Sequence, residues 1–143
     1  MGSVSVNQLI VTPLTRIQVA GGDVLHGIKR SDPGYVDFGE AYFSIVEVGA
    51  IKAWKRHLRM TLNLVVPFGM VCFAFLDDEG VVREETIGEN HYVRLTVPPR
   101  IWFGFKGLSV PYSILMNLAD IPHDPIEIEH KDIDEINYNW KSK

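Results

Sequence analysis

Turn signals punctuate this chain at short intervals, and that limits what it can fold into. Pro13, Gly21-Gly22, Ser31-Asp32-Pro33-Gly34, Gly49, Pro67-Phe68-Gly69, Asp77-Asp78-Glu79-Gly80, Gly88-Glu89-Asn90 and Pro98-Pro99 leave only short segments between them. Glycine supplies positive φ and proline fixes φ, so such clusters mark turns. The segments between are rich in Val, Ile, Phe and Tyr, which suit strands. Strands are predicted at 9–12, 17–20, 40–48, 62–66, 70–76, 81–87, 92–97, 101–105 and 113–118. The 23–30 segment is apolar on alternate positions in its middle and then basic. No segment has convincing helical periodicity. Many short strands with Gly and Pro turns point to an all-β barrel or sandwich. A double-sheet jelly roll fits the 143-residue length best.

Within that pattern, residues 70–76 are apolar on both faces, so this strand is expected to be buried on both. Residues 81–87 return with polar side chains, as an edge or half-exposed strand does. After Asp120 the alternating acids and isoleucines predict a short irregular C-terminal tail wrapped on the surface. There is no repeat and no low-complexity stretch. The length suits one domain, 1–143, with a single sizeable core.

One stretch stands out chemically. Residues 49–63 set Lys52, Lys55, Arg56, His57 and Arg59 among apolar residues and run on into the apolar strand at 62–66. In a regular strand, neighbours point to opposite faces. Ile51, Ala53, Lys55 and His57 are then expected on one face, and Lys52, Trp54 and Arg56 on the other. A solvated basic face is the plain reading. The tryptophan between lysines, the nearby histidine and the flanking apolar strands favour a pre-organised anion site.

Net charge excludes some partners. At −4 the chain is not a general nucleic-acid binder, although a local basic pocket still suits an anionic ligand. The lone Cys72 lies in an apolar run and reads as a small core residue. No segment has the length and apolarity of a membrane helix. Met1-Gly2-Ser3-Val4-Ser5 lacks the features of a signal peptide, so a cytoplasmic location is expected.

Several segments resemble the dTDP-4-dehydrorhamnose 3,5-epimerase family. They are 49–63, the Pro67-Phe68-Gly69 turn, the 96–107 run Thr-Val-Pro-Pro-Arg-Ile-Trp-Phe-Gly-Phe-Lys-Gly, and Asp120-Ile121-Pro122-His123-Asp124-Pro125. The resemblance covers most of the chain from about Asp23 onward. It implies a cupin-type double-stranded jelly roll acting on nucleotide-linked 4-keto-6-deoxy sugars, with dTDP or CDP as the nucleotide. It also implies a homodimer and a role in surface-polysaccharide synthesis. The implied chemistry is proton abstraction beside a ketone followed by reprotonation on the opposite face, which needs a base and an acid.

The resemblance places the family's base position at Lys55 and its acid position at Met116. Both are departures: Lys55 is a candidate catalytic base only if burial or the nearby cations lower its pKa enough to make it neutral, and methionine donates no proton. His57 is the candidate replacement base and Tyr112 the candidate replacement acid. The resemblance makes His26 and Lys52 phosphate contacts. Trp54, Arg56, Arg59, Asn63 and Asn117 complete the candidate substrate-binding set. No cofactor is expected. No metal is expected either, because Lys55 replaces the first histidine of a cupin metal motif. The alternative is a non-catalytic nucleotide-sugar-binding cupin that has lost its base and acid. The apolar strands at 9–12 and 17–20 lack a nearby sequence partner, which fits covering by a second subunit.

Overall fold

The computed structural model describes residues 3–143. Met1 and Gly2, which begin the segment read above for a leader, lie outside the described residues. Among the described residues twelve strands are formed: β1 (Ile10–Pro13), β2 (Arg16–Ile17), β3 (Val24–Leu25), β4 (Glu40–Glu47), β5 (Ile51–His57), β6 (Leu62–Phe68), β7 (Met70–Leu76), β8 (Val82–Gly88), β9 (Val93–Val97), β10 (Trp102–Gly107), β11 (Tyr112–Ala119) and β12 (Ile128–His130). Among the described residues no helix is long and apolar enough to cross a membrane.

Ten of the strands make two antiparallel five-stranded sheets, in the orders β1-β9-β6-β11-β4 and β12-β5-β10-β7-β8. This is the cupin-type double-stranded jelly roll, all-β as the turn pattern implied. β2 and β3 form a separate ribbon. β1 pairs with β9, distant in sequence, and forms an edge of the first sheet. β8 is an edge strand, as its polar alternation foretold, and β7 lies between β8 and β10.

The inner faces of the sheets meet in one core. Leu62, Leu64 and Val66 of β6 and Val93, Leu95 and Val97 of β9 pack with Val71, Phe73 and Phe75 of β7. Each is spaced by two along its strand, the period that sends alternate side chains to one face. Burying one such side chain contributes about 1.5–3 kcal/mol.

Two outer faces are also organised. The chain after Asp120 is more than a surface tail. It adds β12 to the edge of the second sheet and lays Ile136 and Trp140, both buried, over Trp54, Ala74 and Trp102. Gly104 permits this close approach, because a Cβ there would stand 2.5 Å from that of Ala53 and 3.0 Å from the Trp140 ring. On the first sheet, fully buried Arg94 donates to Asn63 Oδ1 at 3.1 Å and to the Gly27 and Pro33 carbonyls at 2.9 and 2.7 Å. That network ties the 27–34 loop to the outer face.

Candidate active site

The site follows from an irregularity in β5. Lys55 is paired with Phe103 of β10, but the next β10 residue, Gly104, is paired with Ala53, and Phe105 with Lys52. Trp54 is the extra residue. Such a bulge reverses the alternation beyond it. Lys52, Lys55 and His57 therefore share the inner face with Phe103 and Phe105. Ile51, Ala53, Trp54 and Arg56 belong to the outer face. This corrects the regular-strand expectation, which separated Lys52 from Lys55.

β5 and β12 form one wall of a cleft, and β4 forms the other. A cavity of about 920 Å³ is lined by Ser44 of β4, by β5 from Ile51 to Lys55 (Trp54 included), by Phe103 and Phe105, and by His130 to Asp134 at the free edge of β5. His130 is the strand partner of Lys55 and stands at the rim. Lys55 Nζ lies over the Phe103 ring, 5.8 Å from its centroid. Burial, reinforced by Lys52, lowers the Lys55 ammonium from its ordinary value, and Glu127 opposes that.

His57 is the most constrained group on the inner face beside the cleft. Its ring stacks on Phe103 at 6.3 Å, and it is buried. Its Nδ1 lies 2.5 Å from Glu127 Oε1. The other Glu127 oxygen accepts the backbone amides of Leu58, Arg59 and Met60 at 3.0, 3.1 and 3.3 Å. Burial acts to raise the Glu127 carboxyl, but the His57 bond and the Arg59 and Met60 amides outweigh it and hold it below the usual range. Burial lowers His57, with Lys55 and His123 helping and the Glu127 carboxylate opposing. The imidazole is therefore neutral at neutral pH. An ionised Glu127 accepts a proton held on Nδ1, which leaves the Nε2 lone pair free. Nε2 is buried and has no hydrogen-bond partner within the protein.

The remaining candidates divide clearly. Lys52, Lys55 and His57 are brought together. Trp54 is instead buried beneath the C-terminal segment, with Nε1 donating to the Ile133 carbonyl at 3.3 Å and its ring 5.4 Å from Trp140. Arg56 lies on the outer face over Trp102 at 4.8 Å and is paired with Glu129 at 2.5 Å. Arg59 follows the strand, exposed and paired with Asp124 at 3.0 Å. Asn63 belongs to the Arg94 network, accepting also from Thr96 Oγ1 at 2.7 Å. His26 lies over the first sheet's outer face, its carbonyl accepting from Tyr92 at 2.7 Å.

Tyr112 and Asn117 sit on the same strand with opposite outcomes. Leu115 of β11 is in the core, so Asn117, two residues on, faces inward. Tyr112 has the other parity and packs on Phe68, 5.7 Å away, on the outer face. It does not reach the cleft. Met116 is likewise on the outer face, beside Gly27. Among the described residues, no group of three or more His, Cys, Asp or Glu side chains is placed to hold a metal ion. Sequence reasoning missed Glu127 and His130. Tyr42 is the strand partner of Asn117 and receives its Nδ2 donation at 3.0 Å.

The fold is a cupin-type jelly roll that sets two lysines on a cleft wall and a carboxylate-backed imidazole on the inner face beside them. No family model matches the chain. It is 32% identical to a solved dTDP sugar isomerase from Desulfovibrio desulfuricans G20, with a TM-score of 0.89, covering 95% of this chain and 92% of that one. The probable low-salt glycan biosynthesis epimerase Agl13 of Haloferax volcanii is 28% identical over 111 residues, which are 73% of this chain and 69% of that protein. The dTDP-4-dehydrorhamnose 3,5-epimerase of Sulfolobus tokodaii shares the fold at 16% identity and a TM-score of 0.82, covering 98% of this chain and 86% of that one. The chain belongs to this family of cupin-type sugar epimerases and isomerases, as its motifs implied.

Proposed function

We propose that the protein is a nucleotide-sugar epimerase or isomerase that removes a proton from the carbon beside the ketone of a dTDP- or CDP-linked 4-keto-6-deoxy sugar. One observation carries this reading: Glu127 fixes His57 through Nδ1, while the buried Nε2, on the inner face two residues from the cleft-lining Lys55, has no protein partner. A neutral imidazole held in one tautomer by a carboxylate is equipped as a general base. As the proton leaves, the pair Glu127 and imidazolium gains attraction, and the adjacent Lys55 suits the negative charge on the enolate oxygen. Lys52 and Lys55 also supply cations for a diphosphate.

His57 thus takes the role of base, and Lys55 that of a cation touching oxygen. The non-catalytic alternative is motivated by Lys55 and Met116 at the family's base and acid positions; a carboxylate-backed His57 two residues on supports the catalytic reading instead. The exposed apolar outer face of the first sheet, with Phe43 at 69% and Ile45 at 60% exposure, supports pairing with a second copy. Light scattering that finds only monomer at micromolar concentration rejects that pairing.

The test of the reaction is incubation with dTDP-4-keto-6-deoxyglucose, and with its CDP analogue, in deuterated water. The wild type is expected to place deuterium beside the ketone. His57→Gln is expected to place none while still binding dTDP. No deuterium from the wild type with either sugar rejects the reading.

A further inference from the structure

We propose that Trp140 is a positioning residue for the cleft: from the far face of the second sheet it holds the Trp54 bulge, and so keeps Lys52 turned toward an anionic ligand. The inference rests on the diphosphate reading above and adds what sets the geometry of that part of the site.

The bulge matters most to Lys52. Lys55 and His57 lie to one side of Trp54, where β5 pairs with β12 without interruption. Lys52 lies beyond Trp54, where the register with β10 has shifted by one. A one-residue change of register sends a strand side chain to the opposite face. The contacts that hold Trp54 therefore decide where the Lys52 charge points.

Those contacts come from the C-terminal segment. Trp54 exchanges both backbone hydrogen bonds with Lys131, at 3.0 Å each. Its indole Nε1 donates to the Ile133 carbonyl at 3.3 Å. Its ring packs 5.4 Å from Trp140 and 5.9 Å from Tyr138, and those two rings lie 4.6 Å apart. The Trp140 ring also covers Gly104, which pairs beside the bulge.

The segment is anchored beyond these rings. Residues 131–134 line the cavity, and the chain then crosses the outer face of the second sheet from β12 toward β8. There Glu84 of β8 accepts from the Tyr138 hydroxyl and pairs with Lys143 at 2.7 Å. Lys106 of β10 donates to the Trp140 carbonyl at 3.0 Å. The cavity rim and the aromatic cluster are thus one continuous piece of chain. A held bulge favours the anion on Lys52, and a bound anion favours the held bulge by the same factor.

The test is a double-mutant cycle read by calorimetric binding of dTDP, or of CDP if that binds more tightly, at a temperature where circular dichroism shows each variant folded. Trp140→Ala is expected to weaken binding by about tenfold or more, the usual contribution of one hydrogen bond to a charged group. Trp140→Phe keeps a ring and is expected to recover most of the affinity. In the Lys52→Met background, Trp140→Ala is expected to cost less than twofold, because the charge it positions is gone; a general loss of stability acts alike in both backgrounds. Trp140→Leu replaces Trp140→Ala in the cycle where the latter does not fold. With dTDP-4-keto-6-deoxyglucose, Trp140→Ala is expected to raise KM and leave kcat within a few-fold, since Lys55 and His57 lie on the other side of the bulge. Binding within twofold of wild type, an equal loss in both backgrounds, or a loss confined to kcat overturns this proposal and leaves the functional reading standing. Binding of neither nucleotide by the wild type overturns both.

Discussion

Glu127→Gln isolates what the buried carboxylate does for His57. Glu127 takes the His57 ring on one oxygen and three backbone amides on the other. The amides of residues 58–60 fix how a glutamine must sit, with its carbonyl toward those three donors. Its NH₂ then faces His57 and donates to Nδ1. The ring proton is forced onto Nε2, and the base is lost. General-base contributions are about 10²–10⁴, so the exchange rate should fall by that factor. Glu127 is 2% exposed and its two oxygens are taken up by His57 and three backbone amides, so KM should change little.

Stability should fall as well. Bonds to a charged acceptor are worth about 1 kcal/mol more than neutral ones. Three amide bonds change type, so roughly 2–3 kcal/mol is lost, or on the order of 8 °C in Tm. The assays are deuterium exchange by NMR at a temperature well below the lowered Tm, and thermal unfolding by circular dichroism. A folded Glu127→Gln protein exchanging within threefold of wild type refutes the tautomer argument.

Other outcomes follow from the same geometry. Because His57 is held below its ordinary value of about 6.5, kcat/KM should rise with pH along a limb whose midpoint lies below that value; an acidic limb centred above pH 7 contradicts this. The carboxyl of Glu127 is also held low, and its contribution to stability is present above the unfolded value of about 4.3 and lost as pH falls through the folded one; urea titrations between pH 3 and 7 measure it. Lys55→Ala should lower kcat/KM by about tenfold or more, with Lys55→Arg recovering part of that because a cation is kept; a fully active Lys55→Ala removes the residue from the site. Arg94→Met should lower stability by roughly 3–5 kcal/mol, since it strands a buried network, and leave kcat unchanged because Arg94 is on the outer face.

The strands were legible because their evidence is local. Turn residues bound β4, β7, β9 and β11 within a residue or two, and the both-faces-apolar pattern of β7 reported its central place. The site was less legible. Composition shows the cluster of cations, but faces depend on register, and one extra residue at Trp54 exchanged the partners of Lys55. Nothing in Ile126-Glu127-Ile128 distinguishes a buried carboxylate from an exposed one. Its burial comes from the 58–60 amides, about seventy positions away in the chain. Tyr112 and Tyr42 are alike as sequence, and only strand parity in the folded sheet separates the outer face from the inner one. Asn63 and Trp54 likewise have side chains suited to a ligand, and the fold uses both to hold its own loops.

The most direct measurement is a crystal structure of the inactive His57→Asn variant with dTDP-4-keto-6-deoxyglucose bound. The account predicts the sugar ring in the cleft between β5 and β4, with Lys55 and residue 57 on one side. Restoring the imidazole to residue 57 should place Nε2 about 3–3.5 Å from the carbon beside the ketone. A sugar seated on the outer face of the first sheet, beside His26 and Tyr112, contradicts it.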